Sequence, residues 1–344
     1  MGKNVLWTGS HGFIAGYSIN KLLEEGHNIW GLDNFWKYGK IGKTYDSHPN
    51  FHFINGDAKD TELLKKLIIE NKINIFVSGA AIIGGITMFH ELAYDLLREN
   101  ELITAAAFDS CIYAQKNSDC FEKIVIVSSS MVFESTDHYP SKEEDVRKSL
   151  PPLSTYGFQK LAVEYWAQGA WEQYKLPYTI IRPFNAIGIG EKRARMETEC
   201  YSGNIKLAMS HVVPDLVQKI LKGQYPLRIL GEGNQIRHYT YAGDLADGFY
   251  ECITNPNALN NNFNISTPKG HTVLELAEVI WNKINPGKEF KYESEKAYTY
   301  DVQKRIPDVS KAKEILGVEC NTSLEVALDE IIPWIRNQME IGGI

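Results

Sequence analysis

The sequence predicts an α/β protein: a doubly wound parallel sheet with a smaller α/β domain at its C-terminal side. Three observations carry this expectation. Short apolar runs alternate with helical stretches from residue 5 to residue 181, the pattern of a parallel sheet crossed by helices. The first run ends in glycines that lead directly into a helix, Thr8-Gly9-Ser10-His11-Gly12-Phe13-Ile14-Ala15. The chain has 344 residues, 44% of them hydrophobic and 23% charged, which is enough for a large core and a second unit. Residues 1–182 are expected mainly in the sheet domain and residues 183–344 mainly in the smaller one.

The elements follow in order. Residues 5–8 read as a strand and 17–25 as a helix, with Gly26 placed to cap it. Gly9 permits the tight turn between them. Gly12 lets backbone N–H groups approach an anion at the helix N-terminus, and Ala15 is small enough for the helix to pack close on the strand. Strand, glycine turn and helix are the context that a dinucleotide-binding fingerprint requires. His11, Phe13 and Ile14 belong to that turn. Residues 28–33 form a second strand ending in Asp33, with Asn34 behind it. An acid about 20 residues past the glycines is placed for ribose hydroxyls and favours NAD over NADP.

A third strand covers 51–57, with Asp57 at its tip and Ala58 opening the helix 58–71. The fourth strand, 73–78, runs into Gly79-Ala80-Ala81-Ile82-Ile83-Gly84-Gly85, small residues that let a ligand lie against the backbone. A helix over 92–115 carries Asn100 near its middle. The fifth strand, 124–127, is wholly apolar and precedes Ser128-Ser129-Ser130. Parallel sheets bind ligands at the carboxyl ends of their strands, so Asp33 and Ser129 can serve one site.

Tyr156 and Lys160 are four residues apart in Ser154-Thr155-Tyr156-Gly157-Phe158-Gln159-Lys160, a spacing that places both on one helix face. A free phenol has a pKa of about 10, too high for a base at neutral pH. A fixed positive charge nearby favours the phenolate, and closing a gap of ~3 pKa units takes about 4 kcal/mol, which a nearby lysine plus a bound cationic ring could supply. Alone, such a pair is ordinary on an amphipathic helix. Beside a redox cofactor site it becomes chemistry.

The second half is less regular. Residues 177–181 form a sixth strand, followed by Arg182-Pro183-Phe184-Asn185 and a polar stretch to residue 210. Lys192, Arg193 and Arg195 in that stretch read either as a solvated loop or as pyrophosphate contacts. Ser210-His211-Val212 opens a helix, with Lys219 two turns on, where it could reach phosphate. Residues 227–233 are a strand and turn. Asp244 begins a helix over 244–253 and suits an N-cap. Residues 260–265 are a turn into a strand, and helices follow at 272–284, 310–316 and 323–339. Arg305 is placed to hold phosphate or ribose.

The formal net charge of −7 gives no nucleic-acid footprint, and no apolar run approaches the ~20 residues of a membrane span. The N-terminus runs into a strand without a cleavable signal. Cys111, Cys120, Cys200, Cys252 and Cys320 are scattered, with neither metal-ligand spacing nor a disulfide framework. The expectation is a cytoplasmic protein with reduced thiols, no metal, no membrane and no nucleic-acid partner.

These residues together resemble the extended short-chain dehydrogenase/reductase family, the nucleotide-sugar epimerases, dehydratases and reductases. The marks are Thr8-Gly9-x-x-Gly12-x-x-Ala15, Asp33, Gly56-Asp57, Ala80-Ala81, the serine run, Tyr156-x-x-x-Lys160 and Arg182-Pro183-Phe184-Asn185. Gly231-x-Gly233-x-x-x-Arg237, Tyr241-x-x-Asp244 and Arg305-x-Pro307-Asp308 continue them. The resemblance implies a Rossmann sheet with NAD, some interleaving of segments between the domains, and a nucleotide-diphosphate sugar as substrate. It implies Tyr156 as general acid/base, Ser129 hydrogen-bonded to the same sugar oxygen, and Lys160 holding the nicotinamide ribose and lowering the Tyr156 pKa. Asp57 falls at the adenine, with an N-cap as its alternative, Asn185 on the sugar nucleotide, and Arg237 on the diphosphate.

Departures narrow the reaction. The family's dehydratases carry an Asp-Glu pair where Ser130 and Met131 stand here, its decarboxylases usually carry Glu at Met131, and GDP-fucose synthase carries an acid/base Cys there. His211 matches the histidine of GDP-fucose synthase that donates a proton, so it serves either as acid/base or in binding, and the match tilts the nucleotide towards GDP. The expected activity is epimerisation through a transient 4-keto sugar. A 4-keto-sugar reductase, suggested by His211 and Gly84-Gly85, is the alternative, followed by a dehydratase and a dinucleotide-binding regulator without catalysis. A homodimer through the helices 92–115 and 155–174 is also implied by the resemblance.

Overall fold

The computed structural model describes residues 2–83, 92–191, 198–200, 203–205, 211–296 and 302–343. Gly84, Gly85, Lys192, Arg193, Arg195 and Ser210 lie outside the described residues.

Seven strands make one sheet. They are β1 (Asn4–Thr8), β2 (Asn28–Asp33), β3 (Phe51–Asn55), β4 (Ile75–Ser78), β5 (Lys123–Val127), β6 (Tyr178–Pro183) and β7 (Asn261–Ile265). Their order is β7-β6-β5-β4-β1-β2-β3, and every neighbouring pair is parallel. This is the Rossmann arrangement: the chain builds outward from β1 to β3, then returns to β1's other side with β4. The crossovers there leave on opposite faces and open a crevice at the strands' carboxyl ends. β7 joins β6 from far beyond residue 182, so the sheet is completed by a late segment.

The helices are α1 (Phe13–Glu24), α2 (Thr61–Glu70), α3 (Ala93–Asn117) and α4 (Thr155–Tyr174), then α5 (Val212–Leu221), α6 (Ala242–Thr254), α7 (Val273–Ile284), α8 (Ser310–Leu316) and α9 (Leu324–Glu340). Strands covered on both faces must be apolar on both. Val5 and Trp7 pack with Ile19 and Leu22 of α1 and Phe249 and Ile253 of α6. Leu6, Phe76, Ile124 and Ile126 pack on the other face, with Leu64 of α2, Phe108 of α3 and Ala167 of α4. A separate core holds the smaller unit, where Val213, Val217, Leu276, Ile280, Leu328 and Ile331 close over Leu227 and Ile229.

Several boundaries differ from expectation for local reasons. α1 begins at Phe13, because Gly12 is already its N-cap, with φ −67° and ψ 173°. α2 begins at Thr61, because the Asp60 carboxylate accepts from Leu63 N at 3.0 Å; the helix start at Ala58 and the N-cap alternative for Asp57 are thereby corrected. α6 begins at Ala242, and Asp244 is not its cap. The Asp244 carboxylate instead accepts from Thr322 N and Oγ1, at 2.8 and 2.6 Å, tying α6 to the segment before α9. The polar stretch before α5 contains an antiparallel pair, Thr198–Cys200 with Gly203–Ile205. α4 has the expected bounds, its first turn capped by Ser154 Oγ, which accepts from Gly157 N at 3.0 Å. Among the described residues no helix is long and apolar enough to cross a membrane, and no group of side chains could hold a metal ion.

Candidate active site

The glycine turn lies at the crevice. Gly9 has φ +75°, and a Cβ on it would stand 2.9 Å from Ala80 Cα, so only glycine lets the turns after β1 and β4 meet. Gly12 caps α1 without a side chain, leaving the first-turn N–H groups and the helix dipole for an anion. Asp33 is fixed at the rim: Oδ2 accepts from His11 N at 2.9 Å and Oδ1 from Phe35 N at 2.7 Å. A helix N-terminus facing a bare turn, with a carboxylate at the end of β2, fits a dinucleotide's pyrophosphate and ribose. Phe13, Ile14, Asn34, Asp57, Ala58, Ala80 and Ala81 line the same cleft.

Two of the expected cofactor residues have side chains engaged with the protein itself. The His11 ring is boxed by Phe35, Tyr45, Phe51 and Phe53, with Nε2 3.2 Å from Asp46 Oδ1. Its backbone serves the turn, and burial lowers the ring's pKa. Asn100 is 2% exposed. Its Oδ1 accepts from Ile82 N at 2.7 Å and its Nδ2 donates to Ile82 O at 3.0 Å. It therefore holds the turn after β4, behind the residues that line the cleft.

The end of β5 brings the reactive side chains together. Ser129 is extended, and its Oγ accepts from Met131 N at 3.2 Å. Gly157 allows α4 to press against this turn, since a Cβ there would stand 2.9 Å from Met131 O. Tyr156 is buried and hydrogen-bonded to the Ser129 side chain. Burial pushes its pKa up to about 12, against the Ser129 hydrogen bond and the Arg305 charge. Lys160 Nζ donates to Val127 O at 2.9 Å and stands 5.9 Å from the Tyr156 ring centroid. Burial lowers the Lys160 pKa to about 8, against the Glu164 carboxylate. Burial of the phenol thus opposes the charge and the hydrogen bond that favour its ionised form.

The cleft continues as one cavity of about 930 Å³, lined also by Ser130, Met131, Asn185, His211, Val212, Lys219, Arg237 and Arg305. Asn185 Nδ2 donates to His238 O at 3.4 Å. Lys219 Nζ pairs with Asp215 at 2.9 Å and donates to Arg228 O at 3.2 Å. Arg237 NH1 donates to Ile236 O at 2.9 Å. The His211 side chain is walled by protein yet 45% open to the cleft, and its Nδ1 meets the buried Glu191 carboxylate. Burial, then Lys37 and Arg305, lower its pKa to about 4. We assign the neutral ring, with Nδ1–H donating to Glu191 and the Nε2 lone pair left for the cleft. Arg305 stands at the catalytic end, NH1 lying 3.3 Å from Ser130 Oγ and 3.2 Å from Met131 Sδ. Glu191, Lys37 and Glu134 also line the cavity and were not legible: Glu191 follows two glycines, and neither its chemistry nor its spacing announces a partner for a residue 20 positions away.

The chain belongs to the NAD dependent epimerase/dehydratase family, whose model matches residues 5–266; NAD is accordingly its cofactor. It is 27% identical to a UDP-glucose 4-epimerase of Halalkalibacterium halodurans, over 96% of this chain and 95% of that one. It is 26% identical to UDP-glucuronic acid decarboxylase 1 of Xenopus tropicalis, over 98% of this chain and 73% of that one. Among solved structures, UDP-glucuronic acid 4-epimerase from Bacillus cereus, in complex with UDP-glucuronic acid and NAD, superposes with a TM-score of 0.78 at 25% identity, covering 97% and 99% of the two chains.

Proposed function

We propose that this chain is a nucleotide-diphosphate-sugar epimerase that inverts a carbon through a transient 4-keto sugar. The observation that carries the reading is the joining of Ser129, Tyr156 and Lys160 to the glycine turn and Asp33 in one cavity. The backbone of residues 9–14, Asp33, Asp57 and Lys160 would hold NAD. When bound, NAD supplies reversible hydride acceptance from the sugar carbon. Tyr156 removes the hydroxyl proton and later returns it, while Ser129 orients the same oxygen. Lys160 holds the cofactor's ribose and supplies positive charge next to the phenol. Asn185, Val212, Lys219 and Arg237 bind the sugar nucleotide from the smaller unit. Dehydration and decarboxylation are disfavoured, because Ser130 and Met131 stand where those enzymes carry carboxylates, and a thioether cannot shuttle protons.

A 4-keto-sugar reductase is the second reading, favoured by the His211–Glu191 pair. The segment around His211 favours a GDP-sugar, whereas the relatives above are named for UDP-sugars. A homodimer through α3 and α4 accounts for the exposed Tyr94, Leu102, Tyr113, Phe158, Tyr165 and Trp166 on these helices; a solution mass near 39.0 kDa would overturn it.

The decisive experiment incubates the purified protein with GDP-, UDP-, dTDP- and CDP-sugars. Isomer formation on retained NAD, without added reductant, is expected, and Tyr156→Phe should lower turnover about 10²–10⁴-fold while NAD stays bound. Turnover that needs NADPH and a supplied 4-keto sugar would replace the epimerase with the reductase.

A further inference from the structure

We infer that the sugar of the substrate carries a carboxylate on the ring carbon beside the reacting one, and that Arg305 is the residue that takes it. The inference rests on the nucleotide-sugar reading and narrows it to sugar acids.

The first observation is the place of the guanidinium. NH1 lies 3.3 Å from Ser130 Oγ and 3.2 Å from Met131 Sδ, the two residues directly after Ser129. Its charge acts on both Tyr156 and His211. A pyranose oxidised at C4 presents that carbon to Tyr156. Its diphosphate leaves from C1, across the ring, whereas the C5 substituent is the neighbour of C4. A cation at the Ser129–Met131 turn is therefore placed for a substituent beside C4, and of its two neighbours, C3 and C5, only C5 carries the exocyclic carbon that can be a carboxylate. The diphosphate has cations without it, since Lys219, Arg228 and Arg237 line the same cavity.

The second observation is how the arginine is held. Arg305 N donates to Ile236 O at 3.3 Å, and Ser141 N donates to Ile306 O at 2.8 Å. Ile236 bridges Lys304 and Ser141 bridges Pro307 in parallel pairings. Main chain on both sides pins the segment, so the backbone carrying the fork is in place before any ligand arrives, which lowers the ordering cost of binding.

The third is the chemistry of its neighbours. A planar guanidinium fork matches a carboxylate bidentately, and the Ser130 hydroxyl can add a third donor. Met131 is a thioether, so its contact with the guanidinium is made without a negative charge.

The test measures dissociation constants by calorimetry on the NAD-loaded protein, with Tyr156→Phe used to stop turnover. The ligands come in pairs that differ only at C6: UDP-glucuronate with UDP-glucose, UDP-galacturonate with UDP-galactose, and GDP-mannuronate with GDP-mannose. In at least one pair the acid should bind tenfold or more tightly than the neutral sugar. Arg305→Met should remove that preference by weakening the acid alone. Met131→Glu, which sets a carboxylate against the guanidinium, should do the same and serves if Arg305→Met fails to fold. Equal affinity within every pair overturns the inference. So does a loss in Arg305→Met that is shared by both members, which would assign Arg305 to the common diphosphate. Tight binding of the acid without isomer formation in the wild type would refute the epimerase and leave the carboxylate site standing. Binding of no ligand would sink both.

Discussion

Arg182 on β6 and Lys160 on α4 are both nearly buried, and the same carboxylate, Glu164, acts on each. Their treatment differs. Arg182 donates through Nε and NH2 to the two Glu164 oxygens at 2.8 and 2.7 Å, and through NH1 to Asn262 Oδ1 at 2.9 Å. Ser128 Oγ donates to Glu164 Oε1 at 2.6 Å. That cation is matched by an anion and by hydrogen bonds on several sides. Lys160, one turn before Glu164, has its ammonium on the Val127 carbonyl, and its pKa is drawn down to about 8 by burial. A structural charge in this protein is satisfied by the fold itself. The second charge is buried at a cost beside Tyr156, at the wall of the cleft.

The sharpest way to break the comparison is to remove the shared carboxylate. Glu164→Ala should destabilise the protein by about 3–5 kcal/mol, the range for leaving a buried charge without its partner. Urea unfolding would measure it. A loss below about 1 kcal/mol would mean that solvent reaches Arg182 and that the pair is not structural.

Lys160→Met should act in the opposite direction on stability. It removes a charge that burial disfavours and keeps the length of the side chain. Without cofactor, a gain of about 1–3 kcal/mol at pH 7 is expected, with turnover lost. The pH dependence fixes the sign. The folded pKa of about 8 lies below the ordinary lysine value, so between the two the unfolded chain holds more protons. Wild-type stability therefore rises with pH across that window, and the advantage of Lys160→Met should shrink from pH 8 towards pH 10.5. A constant advantage would show that Lys160 is not the titrating group.

The same contrast explains what could be read in the sequence. The sheet was legible because strands buried on both faces must be apolar runs, and because Gly9, Gly12 and Asp33 occupy positions that their chemistry dictates locally. The α4 bounds were legible for a similar reason, since Ser154 caps within the segment itself. What was not legible needed distant partners. Asn100 saturates the Ile82 backbone, Asp244 clamps Thr322, and Glu191 meets His211; each partner is set by packing and by no local pattern. The burial of Tyr156 was hidden for a related reason. Sequence spacing brings Lys160 near, but only the fold supplies the burial that pushes the phenol upward.

His211 gives the smallest expected effect and tests how far the functional charges extend beyond the cofactor side. In the proposed inversion at C4, Tyr156 serves both proton steps, so a second acid/base is not required. Met131 cannot pair with His211 in proton transfer, and burial, with Lys37 and Arg305, lowers the ring's pKa and favours its neutral form. Its Nε2 then serves as an acceptor for a sugar or phosphate-proximal hydroxyl, fixed in direction by Glu191. His211→Asn should raise KM about tenfold, equivalent to about 1.4 kcal/mol, with kcat within about threefold of wild type, because only uniform binding is lost. Steady-state rates on the sugar nucleotide that isomerises would decide it. A fall in kcat of a hundredfold or more, with the acidic limb of the pH profile removed, would instead make His211 a proton-transfer group. The reaction would then include inversion beside the ketone, at C3 or C5, and the Glu191–His211 pair would join Tyr156 and Lys160 as a second poised site.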